Sequence, residues 1–451
     1  MDRAKLLGEE KIGKLLLKFS IPAIVGMVVN AIYNIVDRIF IGNFVDSLGL
    51  GGITIAFPIM IIIMAFGMLI GIGATSLISI RLGEGKREEA ELILGNAMVL
   101  LIIISLTLSI FGLIFLDPIL KLFGASPQIL PYAKEYLSII LLGAVFQSIG
   151  FGMNNFIRAD GSPKMAMATM LIGAILNTIL DPIFIIVFNM GIKGAALATI
   201  ISQAVSAAWV LNYFFSGKSS LVVKKENWKL KPHIVKNILA IGSAPFAMQV
   251  AASGITTLLN RSLITYGGDL AVSAYGAINS FSTILLMPIF GINQGSQPII
   301  GYNYGAKNYD RVKKAFLLAI TAATTITIIG FVVTRMFPSQ LVALFNSKDK
   351  ELVNIGANGM KIFFTMLPLI GFQIVSSNYF QATGKPKQAM LLSLSRQVLM
   401  LIPAILILPR FFDLNGVWMA GPTADFFSSL LTGTFILIEL KKLQKLHLEN
   451  Q

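Results

Sequence analysis

The chain of 451 residues contains twelve long apolar runs that are separated by short polar connectors. Each run has roughly the 20 residues that an α-helix, rising about 1.5 Å per residue, needs to cross the hydrocarbon core of a bilayer. In lipid only helices and closed barrels satisfy every backbone hydrogen bond, and runs this continuously apolar indicate helices. The sequence therefore predicts an all-α polytopic membrane protein. The predicted spans are residues 19–42, 53–81, 93–116, 132–157, 165–188, 194–215, 237–266, 272–300, 314–337, 352–380, 388–409 and 414–440.

The composition agrees with a membrane protein and argues against an enzyme. Hydrophobic residues make up 55% of the chain and charged residues 13%, whereas about a quarter of residues are charged in soluble domains. Without cysteine the chain has no disulfide framework and no thiolate metal site. The two histidines, His233 and His447, lie outside the spans. We therefore expect no catalytic or metal cluster built on histidine, and no cofactor.

The basic residues are distributed unevenly between the two sides of the predicted membrane. If the N-terminus is inside, the inner segments hold 25 of the 36 Lys and Arg residues, and the outer connectors hold seven. Cytoplasmic connectors of membrane proteins are enriched in this way. The pattern predicts a protein of the cytoplasmic (inner) membrane with both termini in the cytoplasm. It also accounts for the net charge of +14 without a nucleic-acid partner, and no signal peptide is expected.

An internal repeat divides the chain into two halves. Pro22 returns as Pro245, and Gly161 in IRADGSPKMAM returns as Gly384 in QATGKPKQAM, each 223 positions later. Each half holds six spans, and because six is even, both halves begin on the same side. The repeat therefore predicts two six-helix bundles related by a pseudo-twofold axis along the membrane normal, as in some secondary transporters. The predicted parts are an N-terminal lobe at 1–217, a basic cytoplasmic linker at 218–236 and a C-terminal lobe at 237–451.

Span 5 contains Asn177 and Asp181, one helical turn apart in the otherwise apolar stretch LNTILDPIFI. A carboxylate inside a membrane span is unfavourable and usually serves a function. Asp37, Asn177, Asp181 and Thr199 correspond in the second half to Asn260, Met400, Ala404 and Gly421. Because the polar set occurs only once, it favours a site over a packing role. Two structural alternatives stay open: hydrogen bonding of Asp181 near a helix end, and pairing of Asp37 with Arg38.

The predicted site is a cation-coupling site in the outer half of the N-terminal lobe. Its members are Asp37, Asn177, Asp181, Thr199 and Tyr136. Carboxylate, amide and hydroxyl oxygens suit a hard cation, and a carboxyl group in a low-dielectric environment binds a proton more readily. If the coupling ion is Na⁺, we expect the first four of these residues to be its ligands. The identity of these residues does not decide whether the coupling ion is Na⁺ or H⁺.

The chain resembles the MATE (multidrug and toxic compound extrusion) transporters, and in particular their bacterial MepA-like branch. The resemblance rests on the order of DRIFIGN, RLGEGKREEAE, IRADGSPKMAM, LNTILDPIFI with GIKGAALAT, and QPIIGYNYGAKN with QATGKPKQAM. It implies a V-shaped pair of six-helix bundles, alternating access and export of organic cations driven by Na⁺ or H⁺. In relatives with a cation site in the N-terminal lobe, the matching positions are Asp37, Asn177, Asp181 and Thr199.

The chain departs from relatives that carry acidic residues in spans 7 and 10, because it has none there. The second-half acid well inside a span is Asp425, which can either pair with Arg396 or face a substrate cavity and attract a cationic drug. Pro22 matches the family's first-span proline and is a candidate hinge, since proline removes a backbone hydrogen bond. The alternative for Pro22 is a tolerated kink without a role in transport.

These features predict secondary active multidrug efflux by cation antiport, with H⁺ or Na⁺ entering as an organic cation leaves. We expect small organic cations as substrates, the lipid bilayer as surroundings and a monomeric protein. The principal alternative is a flippase for a lipid-linked precursor, which needs Arg or Lys in its cavity to hold a pyrophosphate. A channel is a third class, but it does not need acidic residues confined to one half.

Overall fold

The computed structural model describes residues 5–44, 47–345 and 349–449, and of residues 34, 35, 37–44, 47, 48 and 50 it describes the backbone only. Within these ranges every regular element is helical. The α-helices are α1 (Leu6–Glu9), α2 (Ile12–Phe44), α3 (Ser47–Gly83), α4 (Arg87–Ile114), α5 (Leu116–Leu122), α6 (Leu130–Ala159), α7 (Pro163–Pro182), α8 (Gly191–Phe215), α9 (Pro232–Gly305), α10 (Tyr309–Met336), α11 (Pro338–Ala343), α12 (Lys350–Phe363), α13 (Leu367–Ala382), α14 (Pro386–Leu394), α15 (Ile402–Ile407) and α16 (Pro409–Glu449). Two π-helices (Ile183–Val187 and Ser395–Leu401) and a 3₁₀-helix (Lys225–Trp228) complete the set.

Twelve membrane spans can be counted in the described ranges. Ten helices are long and apolar enough to cross a membrane, and α12 with α13 forms an eleventh span that is bent by 52°. The 74-residue α9 contains two spans, because its backbone breaks at Gly268, where φ is 66° and ψ is −166°. Glycine adopts this left-handed φ without a steric penalty. The predicted all-α, twelve-helix fold is therefore confirmed.

Several helices begin or end some residues away from the predicted spans, and two of the differences lie next to a proline. Span 10 was expected to be continuous over 352–380, but the helix stops at Phe363 and restarts at Leu367, directly before Pro368. Proline lacks the backbone N–H, so Pro368 cannot donate the hydrogen bond that would continue the preceding helical turn, and proline is well accommodated in the first turn of the new helix. Span 7 was expected from residue 237, but α9 begins at Pro232, since proline suits the first turn of a helix.

Among the described residues, the hydrophobic cores that contain side chains of both halves lie at one end of the molecule. Leu15 and Phe19 of α2 pack in one core with Ile292 and other residues of the second half. Ile70 and Ala74 of α3, with α4 and α6, share another core with the beginning of α9. Among the described residues, the other two cores contain residues from a single half each. The lobes therefore join at the predicted cytoplasmic end, and at the other end the described side chains form a separate core in each lobe.

The joined end is held by direct backbone contact between α3 and α9. A Cβ atom on Gly242 would overlap the carbonyl oxygen of Leu69, and one on Gly73 would overlap that of Ile238. Near the ends of the same two helices, Gly83 and Gly305 make equally close contacts. Only residues without a side chain allow such an approach. We call this contact the glycine seam.

The segment between α8 and α9 is fixed to the N-terminal lobe by a buried carboxylate. Asp160, at the end of α6, is fully buried. It accepts hydrogen bonds from the Tyr213 hydroxyl (2.5 Å), Ser219 Oγ (3.0 Å), Ser220 N (3.1 Å) and Ser220 Oγ. Burial raises the pKa of the Asp160 carboxyl, and the hydrogen bonds act in the opposite direction. Asp160 thus anchors the beginning of the connecting segment.

Replacing Asp160 by alanine is expected to destabilise the protein, because it leaves the Tyr213 and Ser220 donors without their buried acceptor. The expected loss in the free energy of unfolding is roughly 2 kcal/mol, measured by thermal unfolding in detergent. Asp160→Asn, which keeps one acceptor oxygen, should lose less. Equal unfolding temperatures for Asp160→Ala and the parent protein would show that the carboxylate does not anchor the segment.

Candidate cation site

The candidate site lies where α7 changes its helical geometry. α7 ends in Asp181–Pro182 and continues directly into the π-helix Ile183–Val187. Pro182 has no N–H for the carbonyl group one turn earlier, so the regular hydrogen-bond ladder cannot continue unchanged. π-Helical turns are frequently found at functional sites. The sequence pair DP therefore places the Asp181 carboxylate at the beginning of a locally widened turn.

Asp181 and Thr199 each lie within hydrogen-bond distance of Asn177. Asn177 Nδ2 donates to Asp181 Oδ1 at 3.4 Å and to Thr199 Oγ1 of α8 at 3.5 Å. The Thr199 hydroxyl in turn donates to the Ala195 carbonyl oxygen at 3.0 Å. The first two distances are long for hydrogen bonds. The amide group of Asn177 therefore lies between the carboxylate and the hydroxyl and is held loosely by both.

The group is enclosed by protein. Asp181 is fully buried, Asn177 is 2% exposed and Thr199 is 7% exposed. Asn177 Oδ1 has no hydrogen-bond partner in the part of the chain that the structure describes. A buried polar oxygen without a partner is unfavourable by roughly 1–3 kcal/mol. The site therefore combines a buried carboxylate with an amide oxygen that can accept a further ligand.

The other two predicted members are placed less directly. Tyr136 of α6 is buried in a core that also contains Ile185 of the π-helix and Ala195 of α8, so it lies in the packing around the group. The backbone of Asp37 belongs to α2, which packs along α7, but its side chain lies outside the described residues. The structure thus brings Asn177, Asp181 and Thr199 together and leaves the contribution of Asp37 as a prediction.

Asp425 and Arg396 form an ion pair in the second half. Arg396 Nε, in the π-helix Ser395–Leu401, lies 2.5 Å from Asp425 Oδ1 of α16. The Asp425 side chain is 3% exposed, and that of Arg396 is 27% exposed. This geometry supports the pairing that the sequence left open. It argues against an Asp425 carboxylate without a partner, and the expectation that Asp425 and Arg396 lie in a substrate cavity stays a prediction.

A second polar cluster in the first half was missed in the sequence. Arg158 of α6 is 2% exposed, and its Nη1 donates to Asn155 Oδ1 at 2.8 Å. Its Nη2 lies 3.6 Å from Met170 Sδ of α7. No carboxylate in the described ranges pairs with it. The repeat carried a usable signal, since Arg158 corresponds to Gln381 at the 223-residue offset, but its position at a span end suggested a connector charge.

Comparison with known proteins assigns the family. A profile of the MatE family matches residues 22–183 and again residues 245–406. The chain belongs to the MatE family. The second match begins 223 residues after the first, which is the offset of the repeat. The chain is thus a multi-pass membrane protein of this family.

Several MatE relatives resemble the chain over nearly its whole length. The multidrug export protein MepA of Staphylococcus haemolyticus is 30% identical over 410 residues, which are 91% of this chain and 90% of that protein. A solved structure of the MATE multidrug transporter DinF-BH, determined in complex with a ligand, is 42% identical. It covers 95% of this chain and 96% of its own, with a TM-score of 0.89. An outward-facing multidrug resistance MATE family transporter is 25% identical, with 99% of both chains covered and a TM-score of 0.92.

The ion pair generates a test of its own role. Arg396→Gln leaves the buried Asp425 carboxylate without its cation, which should lower the free energy of unfolding by about 3 kcal/mol. The double variant Arg396→Gln with Asp425→Asn removes both charges and should recover most of that stability. Thermal unfolding of the parent protein, both single variants and the double variant gives the coupling energy.

A coupling energy near zero would contradict a structural ion pair. If the single variants retained full stability while drug transport was lost, the pair would belong to the substrate path instead.

Proposed function

We propose that this protein is a secondary active exporter of organic cations, driven by H⁺ or Na⁺ that binds at Asn177, Asp181 and Thr199. The main support is the buried oxygen group itself, which occurs in one lobe only of a duplicated fold. The MatE relatives support the cargo class, since they include proteins that are named multidrug export proteins. The protein works as a monomer with both termini in the cytoplasm and needs no cofactor besides the coupling ion.

The geometry of the group suits either coupling ion. A 180° rotation of the Asn177 amide would turn Oδ1 towards Asp181 and Thr199, so that a bound Na⁺ would receive carboxylate, amide and hydroxyl oxygens. In the proton-coupled case, a protonated Asp181 would donate to the same amide oxygen. Na⁺ binding and protonation of Asp181 would each replace the two long hydrogen bonds of Asn177 Nδ2. The contact between the Asn177 amide group and Thr199 of α8 would therefore depend on the charge state of Asp181.

Helix α2 provides a physical link from this site to α9, the helix that also forms the glycine seam. Its first part, with Phe19 and Ser20, packs against the second half of the chain, where Gly295 approaches Ser20 closely. Farther along, Gly26 contacts Met170 of α7, the helix that carries Asn177 and Asp181. Pro22 lies between these two contacts. We propose that ion binding changes how α2 packs along α7, and that bending at Pro22 transmits this change to the contact between Ser20 and Gly295 of α9.

Alternating access in this proposal requires the seam to open. In the described conformation the lobes join at the predicted cytoplasmic end and have separate cores at the other end. This corresponds to an outward-facing state, in which the coupling ion can enter. Release of the ion to the cytoplasm requires α3 and α9 to part and the separate ends to approach each other. A ligand can drive this change only if it binds the two states with different affinity.

Asp181→Asn tests the coupling site, because it keeps the shape of the side chain and removes the charge and the exchangeable proton. In liposomes, ethidium transport by the parent protein should respond to an imposed pH gradient or to an imposed Na⁺ gradient, and the responding gradient names the ion. Asp181→Asn should lower driven transport to the level of empty liposomes. Asp117→Asn, the same change in the half-exposed acid of α5 that pairs with Lys134, is the matched control.

Two results would contradict the proposal. If gradient-driven transport persists in Asp181→Asn, the coupling ion binds at another acidic residue, and Asp37 is the first candidate. If neither gradient drives any organic cation while a lipid-linked precursor is translocated, the protein is a flippase rather than a drug exporter.

Pro22→Ala tests the hinge, because alanine restores the missing backbone hydrogen bond and straightens α2. Driven ethidium transport should fall several-fold while the unfolding temperature stays at or above that of the parent protein. Pro58→Ala, in the interior of α3, controls for the removal of a helix proline elsewhere. Equal transport by Pro22→Ala and the parent protein would rule out the hinge and leave Pro22 as a tolerated kink.

A further inference from the structure

The segment between the lobes is a rigid part of the N-terminal lobe and not a loose tether. Asn96 of α4 is fully buried, and its Nδ2 donates to the carbonyl oxygens of Asn227 (3.0 Å) and Lys229 (3.3 Å). Its Oδ1 accepts from the backbone N–H of Lys231 at 2.7 Å. Glu91, five residues earlier on α4, pairs with Lys224 at 2.9 Å. The backbone of residues 224–231 is therefore fixed in place.

This fixed segment and the first turns of α9 form the sides of an open groove of about 700 Å³. The floor is mainly apolar, and the fixed position of the segment keeps the groove formed without a ligand. The lining residues are Leu230, Pro232, Val235, Lys236, Leu239 and Ala240.

Lys236 lines the groove, and Lys229 and Lys231 flank the lining residue Leu230 in the chain. Lys229, Lys231 and Lys236 are exposed, and none of them forms an ion pair with another residue in the described ranges. Lys224 differs, since Glu91 neutralises it. Glu226, an exposed acid in the adjoining 3₁₀-helix, pairs with none of the three. The rim therefore carries an uncompensated positive charge above an apolar floor.

The groove also lies at the level where a membrane meets water. α9 begins at Pro232 and continues as an apolar span, so its first turns enter the bilayer. Trp228, four residues earlier, is 39% exposed. Exposed tryptophan and lysine side chains are typical of the membrane interface. The positive-inside pattern places this boundary at the inner leaflet.

We propose that this groove binds an anionic phospholipid of the inner leaflet. Its phosphate would lie among Lys229, Lys231 and Lys236, and an acyl chain would follow the apolar floor along Leu239 and Ala240. Basic pockets beside membrane helices on the cytoplasmic side recognise anionic headgroups in this way. A soluble anion would leave the apolar floor uncovered, and a neutral lipid would leave the lysines without a counter-charge. An anionic phospholipid satisfies both features.

Native mass spectrometry of the purified full-length chain tests the proposal. The protein is exposed to equal amounts of phosphatidylglycerol and phosphatidylcholine, and the bound lipids are counted. The parent protein should retain phosphatidylglycerol preferentially. Each removed lysine should weaken this binding by about fivefold, and the triple variant Lys229→Gln, Lys231→Gln and Lys236→Gln by about 100-fold. These side chains are exposed, so the variant should fold normally.

Two further variants make the test specific. Lys313→Gln, Lys314→Gln and Lys441→Gln remove the same charge from exposed lysines elsewhere and should leave the preference unchanged. Ala240→Phe keeps the rim lysines but fills the apolar floor, and it should lower retention of phosphatidylglycerol.

Four results would overturn the proposal. They are equal binding of the two lipids by the parent protein, unchanged binding by the triple variant, an equal loss in the control variant and unchanged binding by Ala240→Phe. An equal loss in the control would show attraction by net charge alone. Unchanged binding by Ala240→Phe would show that the groove holds no acyl chain.

Discussion

The arrangement of the two lobes depends on the direct backbone contact between α3 and α9. Because Gly73 and Gly242 carry no side chains, the helix axes approach until one backbone meets the carbonyl groups of the other. Dispersion contacts at such short range are lost steeply as the surfaces separate. The seam is therefore either closed or open, with no favourable intermediate separation. This behaviour suits a transporter that needs two distinct states and no continuous leak between them.

The buried polar groups of the first half divide into two kinds. Asp160 and Asn96 have their hydrogen-bonding capacity largely satisfied by neighbouring backbone and hydroxyl groups, and they fix the connecting segment. Asn177 makes only long hydrogen bonds and has an amide oxygen without a partner in the described chain. A fully satisfied network stabilises one arrangement, whereas a partly satisfied one can accept a ligand. On this physical ground the Asn177 group is the stronger candidate for a functional site.

Much of the fold and part of the site could be predicted from the sequence. Long apolar runs identify spans, and the single occurrence of Asn177, Asp181 and Thr199 in a duplicated chain identified three side chains that the structure brings together. The bend before Leu367 was missed because an apolar run has the same hydrophobic pattern whether the helix is continuous or interrupted within it. Asn96 was missed because its partners are backbone groups more than 130 residues away. Such contacts leave no local pattern.

The position of α2 explains how a site in one lobe can influence contacts between both. This helix packs against the second half through Phe19 and against α7 through Gly26, so it cannot keep both contacts unchanged if the lobes rotate. A regular helix would have to move as one unit when one of these contacts changes. A bend at Pro22 allows the two parts of α2 to change direction relative to each other within one turn. The proline therefore lies where the two packing requirements of α2 meet. In the proposed mechanism, a charge change at Asp181 would act on one of these requirements and thereby shift the balance between them.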